Sequence, residues 1–196
     1  MFKKFIFLLA LTFIILFGSG LSIAVANDSS KNAGKINIPP TTTCADQQLQ
    51  LNGYGIRKKF FVKLYVASLY VQDKLTDADL FLELAQASCM RLHITSSKIT
   101  SEKMIKATQE GFQNATQGNT APIETEIETF LAYFEQPIKK GDVFEFAFVP
   151  HNATHVIKNG VKLGVIENKE FASALYGIWL GEMPAQPNLK SQLLGN

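Results

Sequence analysis

Arginine is scarce in this chain, and its placement is the first chemical signal. Of 19 basic residues only Arg57 and Arg91 are arginines. Arg57 lies in the segment LNGYGIRKKFFVKLYVASLYVQ, from Leu51 to Gln72. A guanidinium offers a planar fork of donors that suits a carboxylate or a phenolate, which a lysine ammonium does not. Tyr65 follows, in a run that is otherwise apolar apart from Lys63 and Ser68. A phenol in such surroundings needs a hydrogen-bonding partner or a ligand. On the residues alone Arg57 reads first as a solvated turn arginine after Gly55, grouped with Lys58 and Lys59.

The other polar groups carry less. Glu124, Glu126 and Glu128 lie in a helical stretch that needs a solvent face, so solvation accounts for them. His151 and His155 sit four apart around a strand entry, where that spacing does not align two ligands, and no third ligand is near. His93 reads as a strand histidine. No metal site is expected. The chain contains no G-x-S-x-G, P-loop, H-E-x-x-H or C-x-x-C pattern, so neither those enzyme families nor a cofactor is indicated.

A strand must position the pair. From Phe60 to Val71 the chain is apolar on both alternating faces, with Phe60, Val62, Leu64, Val66 and Tyr70 on one and Phe61, Tyr65, Ala67, Leu69 and Val71 on the other. Such a strand is interior to a sheet, with something packed over each face. A further strand signal precedes it at Gln47 to Leu51.

Downstream, Thr76 can cap a short helix containing Leu80, Phe81, Leu84 and Ala85, and a strand follows at Ser88 to Ile94. Thr100 or Ser101 opens an amphipathic helix with Met104, Ile105, Thr108, Phe112 and Ala115 on one face. Pro122 starts another, with Ile127, Phe130 and Leu131 spaced for burial, and Pro137 stops it. Strands return at Val143 to Val149, Thr154 to Lys158 and Val161 to Ile166, the last two joined by Asn159-Gly160, a favoured hairpin turn. Asn168 caps a helix with Phe171, Leu175, Ile178 and Trp179 on its apolar face, and a short helix around Leu189 to Leu194 ends the pattern. Strands and helices fall in separate runs, which predicts an α+β fold with an antiparallel sheet.

The start of the chain has the three parts of a secretory leader: Lys3 and Lys4, an apolar stretch from Phe5 to Phe17, and Ala24-Val25-Ala26 before a polar Asn27. The expected organisation is a signal peptide over 1–26, a flexible lead-in over 27–43 with Pro39-Pro40 and three threonines, and one domain over 44–196. An uncleaved membrane anchor is the alternative for the first segment, and it is the only membrane contact the sequence suggests. The expected location is the periplasm or the exterior. Losing residues 1–26 removes two lysines and no acids from 19 basic and 17 acidic residues, which leaves a formally neutral domain. With Arg57-Lys58-Lys59 as its longest basic run, such a domain is a poor partner for nucleic acid. Export places Cys44 and Cys89 in an oxidising compartment, where a disulfide between them and a simple buried role for Cys89 are both open.

The segment around Arg57 resembles the chalcone isomerase superfamily, specifically its bacterial secreted branch. The likeness continues in SEKMIKATQEGF (Ser101 to Phe112), KKGDVFEFAFVP (Lys139 to Pro150), the turn from Asn159 to Gly164, and FASALYGIWLGEMPAQPNLKSQLLG (Phe171 to Gly195). It implies a chalcone-isomerase-like fold, a large antiparallel sheet with helices layered on one face and a ligand cleft between the layers. In the plant isomerases an arginine upstream of the similar strand orients the substrate phenolate, a role that would fall on Arg57. Their strand threonine corresponds to Tyr65, and their helical tyrosine and asparagine to Thr100 and Ala107. Three of the four polar catalytic positions thus differ, and donors of that kind are commonly worth a hundredfold or more each.

Arginine with tyrosine instead resembles the plastid fatty-acid-binding members, where that pair holds a lipid carboxylate. Through this resemblance Arg57 and Tyr65 become the candidate ligand-binding residues. Tyr65 falls on their matching motif, here Leu64-Tyr65-Val66-Ala67-Ser68-Leu69-Tyr70. The segment between Arg57 and Tyr65 is shorter than in the plant proteins, so the arginine has another direction open to it. The resemblance implies a non-catalytic binder of a fatty acid or similar small apolar acidic ligand. An isomerase or lyase on a phenolic or enone substrate and a ligand-free envelope interaction protein are the alternatives. Export is expected to remove Met1 to Ala26, and intact-mass measurement of the exported protein checks it: a mass that retains Met1 on membrane-bound protein replaces cleavage with anchoring.

Overall fold

A seven-stranded antiparallel sheet carries the fold, and the computed structural model describes the chain over residues 30–83, 86–149 and 153–196. The leader expected over 1–26 lies outside the described residues. A small hairpin comes first, β1 (Lys31–Ala33) paired with β2 (Ile36–Ile38). The sheet then runs β3 (Thr41–Cys44), β4 (Gln47–Lys59), β5 (Val62–Val71), β6 (Ser88–Ile94), β7 (Val143–Val149), β8 (Ala153–Lys158) and β9 (Val161–Glu167). Spatial order equals chain order. Asn159 and Gly160, both at positive φ, make the tight turn between β8 and β9.

The helices are interleaved: α1 (Ala78–Leu82) between β5 and β6, α2 (Ser101–Ala115) and α3 (Glu124–Ala132) between β6 and β7, then α4 (Lys169–Leu180) and α5 (Pro187–Leu193) after the sheet. Thr100 caps α2 and Asn168 caps α4, each accepting a backbone N–H with its side chain. The cap of α1 is Asp77 rather than Thr76, its carboxylate taking the N–H groups of Asp79 and Leu80.

Helices and sheet enclose one apolar layer. Tyr65, Ala67, Leu69 and Val71 of β5 face it, against Phe112 of α2, Phe130 of α3, Phe146 of β7 and Phe171 and Trp179 of α4. Phe130 touches Phe112, Phe134, Phe146 and Phe171 with ring centroids 5.2–6.0 Å apart, mostly edge to face.

The opposite face of β5 presents Val66 and Tyr70, buried with Cys89 and Ala147 beneath Ala33, Ile38, Cys44 and Leu49. This corrects the reading of 27–43 as a flexible lead-in. Residues 31–43 form β1, β2 and most of β3, with Ala33 and Ile38 only 8% and 2% exposed, and Tyr70 donates to the Pro39 carbonyl at 3.1 Å. A strand apolar on both faces needs a second cover. Alternate positions of a polar segment suffice to make one, which is why its composition hid it.

Cys44 and Cys89 are joined by a disulfide with their Cα atoms 6.4 Å apart. Two strands separate β3 from β6, and strands in a flat sheet lie about 4.8 Å apart. The β3 edge is therefore curled back over this second face, and Arg91 of β6 confirms it by donating to Thr42 at 2.7 Å.

The Phe60 to Val71 strand is also corrected. The chain reverses at Phe60-Phe61, β5 begins at Val62, and the two rings are 88% and 102% exposed. The alternation ran through a turn because both turn residues happen to be apolar. Closing a loop of 45 residues, the disulfide contributes on the order of 4 kcal/mol in the chain-entropy account. Replacing Cys44 and Cys89 with serine is expected to lower the urea-unfolding free energy by about that amount. Reductant should lower the wild type and leave the double variant unchanged.

Candidate functional site

The register of β4 on β5 decides where Arg57 points. Beside the turn the pairs are Lys59 with Val62 and Lys58 with Lys63. Continued without interruption, this ladder would set Arg57 opposite Leu64, on the face away from Tyr65. A bulge between Arg57 and Lys58 shifts it by one residue, so Arg57 stands directly across from Tyr65. A second shift between Leu51 and Gly53 restores the original register. Between the two bulges Gly53, Gly55 and Arg57 line the helix-side face.

The glycines clear a lane for α5. A Cβ on Gly53 would overlap the backbone carbonyl oxygens of Gln192 and Leu193, and one on Gly55 would overlap the Gln192 side chain and Leu189. Arg57 is the first side chain beyond that lane and meets Gln186, the residue before α5. Its Nη1 donates to the Lys58 carbonyl at 2.5 Å and, at 3.4 Å, to Gln186 Oε1. The Gln186 amide closes the free edge of β4, accepting from the Lys58 N–H at 2.8 Å and donating to the Ile56 carbonyl at 3.2 Å.

Arg57 is thus half-buried, and among the described residues it has no carboxylate partner: the ion pairs there are Arg91 with Glu145 and Lys158 with Asp142. Tyr65 is 9% exposed, and its hydroxyl accepts the indole N–H of Trp179 at 3.0 Å. No described residue accepts the proton of that hydroxyl. Burial raises the Tyr65 pKa, while the Trp179 N–H and the Arg57 charge pull it down. The phenol is therefore a neutral donor at physiological pH, with its acceptor side already filled. Two cooperating donors, one of them cationic, are left on one face without an anion. That arrangement can hold an acidic head group.

Sequence reasoning missed Trp179 and Gln186. Trp179 is the chain's one tryptophan and read only as part of an apolar helix face. Nothing in the sequence marks Gln186, whose role exists only once α5 lies on β4.

Other expected positions fall elsewhere. Thr100 spends its hydroxyl on the α2 cap, accepting from the Lys103 N–H, and Ala107 lies on the exposed face of that helix. Met104, Phe112 and Phe130 are buried in the aromatic layer, so an apolar tail entering there must displace rings. A groove of about 660 Å³ runs beside the β4 edge past Asn52, Tyr54, Lys58 and Gln186, and one of about 330 Å³ lies on the other face by Ser68, Tyr70, Arg91 and His93. Neither is lined by Arg57 or Tyr65. His151 lies outside the described residues, while His155 is on β8 with its pKa lowered by burial and by Lys162. Cys44, Cys89 and Glu145 are the ligand-type cluster among the described residues, and the disulfide occupies both sulfurs.

A seven-stranded antiparallel sheet with helices packed on one side defines the class of this fold. Residues 30–195 match the family described as chalcone isomerase-like, and the chain belongs to that family. Among solved structures it is similar to the Arabidopsis thaliana fatty-acid binding protein AtFAP1, with a TM-score of 0.71 and 17% identity over 85% of this chain and 96% of the other. None of the curated proteins matches it in sequence.

Buried phenols tie this core to pH. Burial pushes Tyr176, which donates to the Phe146 carbonyl at 2.8 Å, up to about 12 from 10.0, and Tyr65 shifts the same way. A raised folded-state pKa gives stability that is complete below the unfolded value and lost as pH climbs through the folded one. Unfolding free energy should therefore fall between pH 10 and about 12, by on the order of 2 to 3 kcal/mol from Tyr176 alone. Urea titrations across that range measure it, and Tyr176→Phe should flatten the decline.

Proposed function

We propose that this chain binds a fatty acid or a similar apolar carboxylate without transforming it, in the periplasm or outside the cell. The observation that carries the reading is the Arg57 and Tyr65 pair: two donors brought face to face by a bulge, with no anion among the described residues to satisfy them. Family membership and the likeness to a protein described as fatty-acid binding agree with it. The leader-like residues and the disulfide favour export. Chalcone cyclisation is not part of the reading, because Thr100 and Ala107 offer the substrate neither a phenol nor an amide.

The closed aromatic layer favours a second reading, an envelope interaction protein that holds no small ligand. Binding measurements separate the two. Each methylene removed from water contributes roughly 0.8 kcal/mol, so the tail sets affinity, while a charge-assisted hydrogen bond of about 1.5 to 3 kcal/mol sets head-group preference. Calorimetric titration with a long-chain acid and the matching alcohol should show Arg57→Ala weakening the acid roughly ten- to a hundredfold and the alcohol little. Tyr65→Phe should act less strongly in the same direction. Equal losses for acid and alcohol, or none, would return Arg57 to a structural role, and absence of binding by the wild type would favour the second reading.

A further inference from the structure

The tip of the β4–β5 hairpin is built against the ordinary rules for a soluble turn. Phe60 and Phe61 form a two-residue reversal, with their rings 88% and 102% exposed and Val62 beside them 41% exposed. Phe60 holds φ +53°, a conformation in which glycine or asparagine is the usual occupant. Adjacent aromatic rings at full exposure are unlike the scattered apolar residues of a normal surface.

Charge surrounds the tip in one sign. Arg57, Lys58, Lys59 and Lys63 flank it, and no acid occurs from Gln47 to Gln72. The topology adds more. Ile94 at the end of β6 pairs with Tyr65, and Val143 at the start of β7 pairs with His93, so the connections carrying Lys98, Lys139 and Lys140 emerge at the same end. The acids there are Glu102 in the first turn of α2, Glu135 and Asp142, and Asp142 is bridged by Lys158 at 3.4 Å. Asp46, Asp73, Asp77, Asp79 and Glu83, with Lys74 among them, lie in connections at the far end of the sheet. A chain whose formal net charge is only +2 is thus polarised along its strands, basic at the aromatic tip and acidic opposite.

We infer that this end docks on an anionic lipid bilayer, with Phe60 and Phe61 entering the interface and the surrounding lysines meeting the head groups. A convex tip of two rings suits a fluid surface, which closes around it, rather than a preformed groove. Lysine stems span the head-group depth beside inserted rings, and each cation near an anionic leaflet adds roughly fivefold to partitioning. Charge polarity turns the domain tip-first before contact. The docking does not rest on the carboxylate reading.

Phe61→Trp in the protein as cells produce it supplies a local probe, since Trp179 is buried. On vesicles of about 30% phosphatidylglycerol in phosphatidylcholine, its emission should shift to the blue and be quenched by spin-labelled lipid, with little response to phosphatidylcholine alone. In flotation with the same vesicles, Phe60→Ser with Phe61→Ser should cut partitioning at least tenfold, and Lys58→Glu with Lys59→Glu should do the same, without lowering the melting temperature. Salt should weaken wild-type binding. Unchanged emission on anionic vesicles, equal response to both vesicle types, or a serine variant that floats like the wild type would overturn the inference. A tip-dependent dimer in sedimentation, without vesicle binding, would assign the rings to a second copy and overturn it as well. No fatty acid is present, so failure here leaves the acid-against-alcohol result untouched.

Discussion

The close approach of α5 to β4 is the constraint on which the rest of the helix-side face depends. It requires two missing side chains, at Gly53 and Gly55, because any Cβ there would enter the backbone or side chains of Leu189 to Leu193. Asn52, at the first register shift, fixes the seat by donating to the Leu75 and Leu193 carbonyls at 2.8 and 2.9 Å and accepting the Leu75 N–H. With α5 seated, Leu189 and Leu193 are almost fully buried and Gln186 falls beside Ile56 and Lys58. The side-chain amide then serves as a rung of the ladder that β3, too short to reach, does not supply. A helix terminus thus protects a sheet edge that would otherwise be open for pairing.

The two bulges act together with those glycines. They displace a window of five pairs, Gly53 to Arg57 against Leu69 to Tyr65, and leave the rest of the hairpin in its original register. Within that window the small residues face the helices and Arg57 joins Tyr65. Outside it the same alternation would point Arg57 away. The shorter segment between Arg57 and Tyr65, read from sequence as leaving the arginine free to point elsewhere, is answered by this device: the bulge makes up the parity.

Much of the fold was legible because it follows local rules. Thr100, Asn168 and Asn159-Gly160 mark boundaries through side-chain caps and a positive-φ turn, and those chemistries act within a few residues. What was not legible depends on distant partners. The strand signal read from sequence stops at Leu51, although β4 runs on to Lys59, because Gly53 and Gly55 have no visible purpose until α5 packs on them. Residues 31–43 read as a lead-in because only Ala33 and Ile38 are deeply buried, and what they cover is assembled from β5, β6 and β7. Arg57 and Tyr65 could be singled out by residue type, but their meeting rests on a bulge that no residue type announces.

Composition misled in a related way. A chain with 19 basic and 17 acidic residues and one short basic run gives no hint of a polar partner when only the sum of its charges is read. Partners respond to the field at a surface, not to the sum. In an antiparallel meander successive connections alternate between two ends of the sheet, so charges separated by thirty or more residues in the chain, such as Lys59, Lys98 and Lys139, gather at one end. The intervening acids, from Asp73 to Glu83, are carried to the other. Topology converts a sequence with mixed charge into a molecule with a direction, and that direction coincides with the end where Arg57 and Tyr65 face each other.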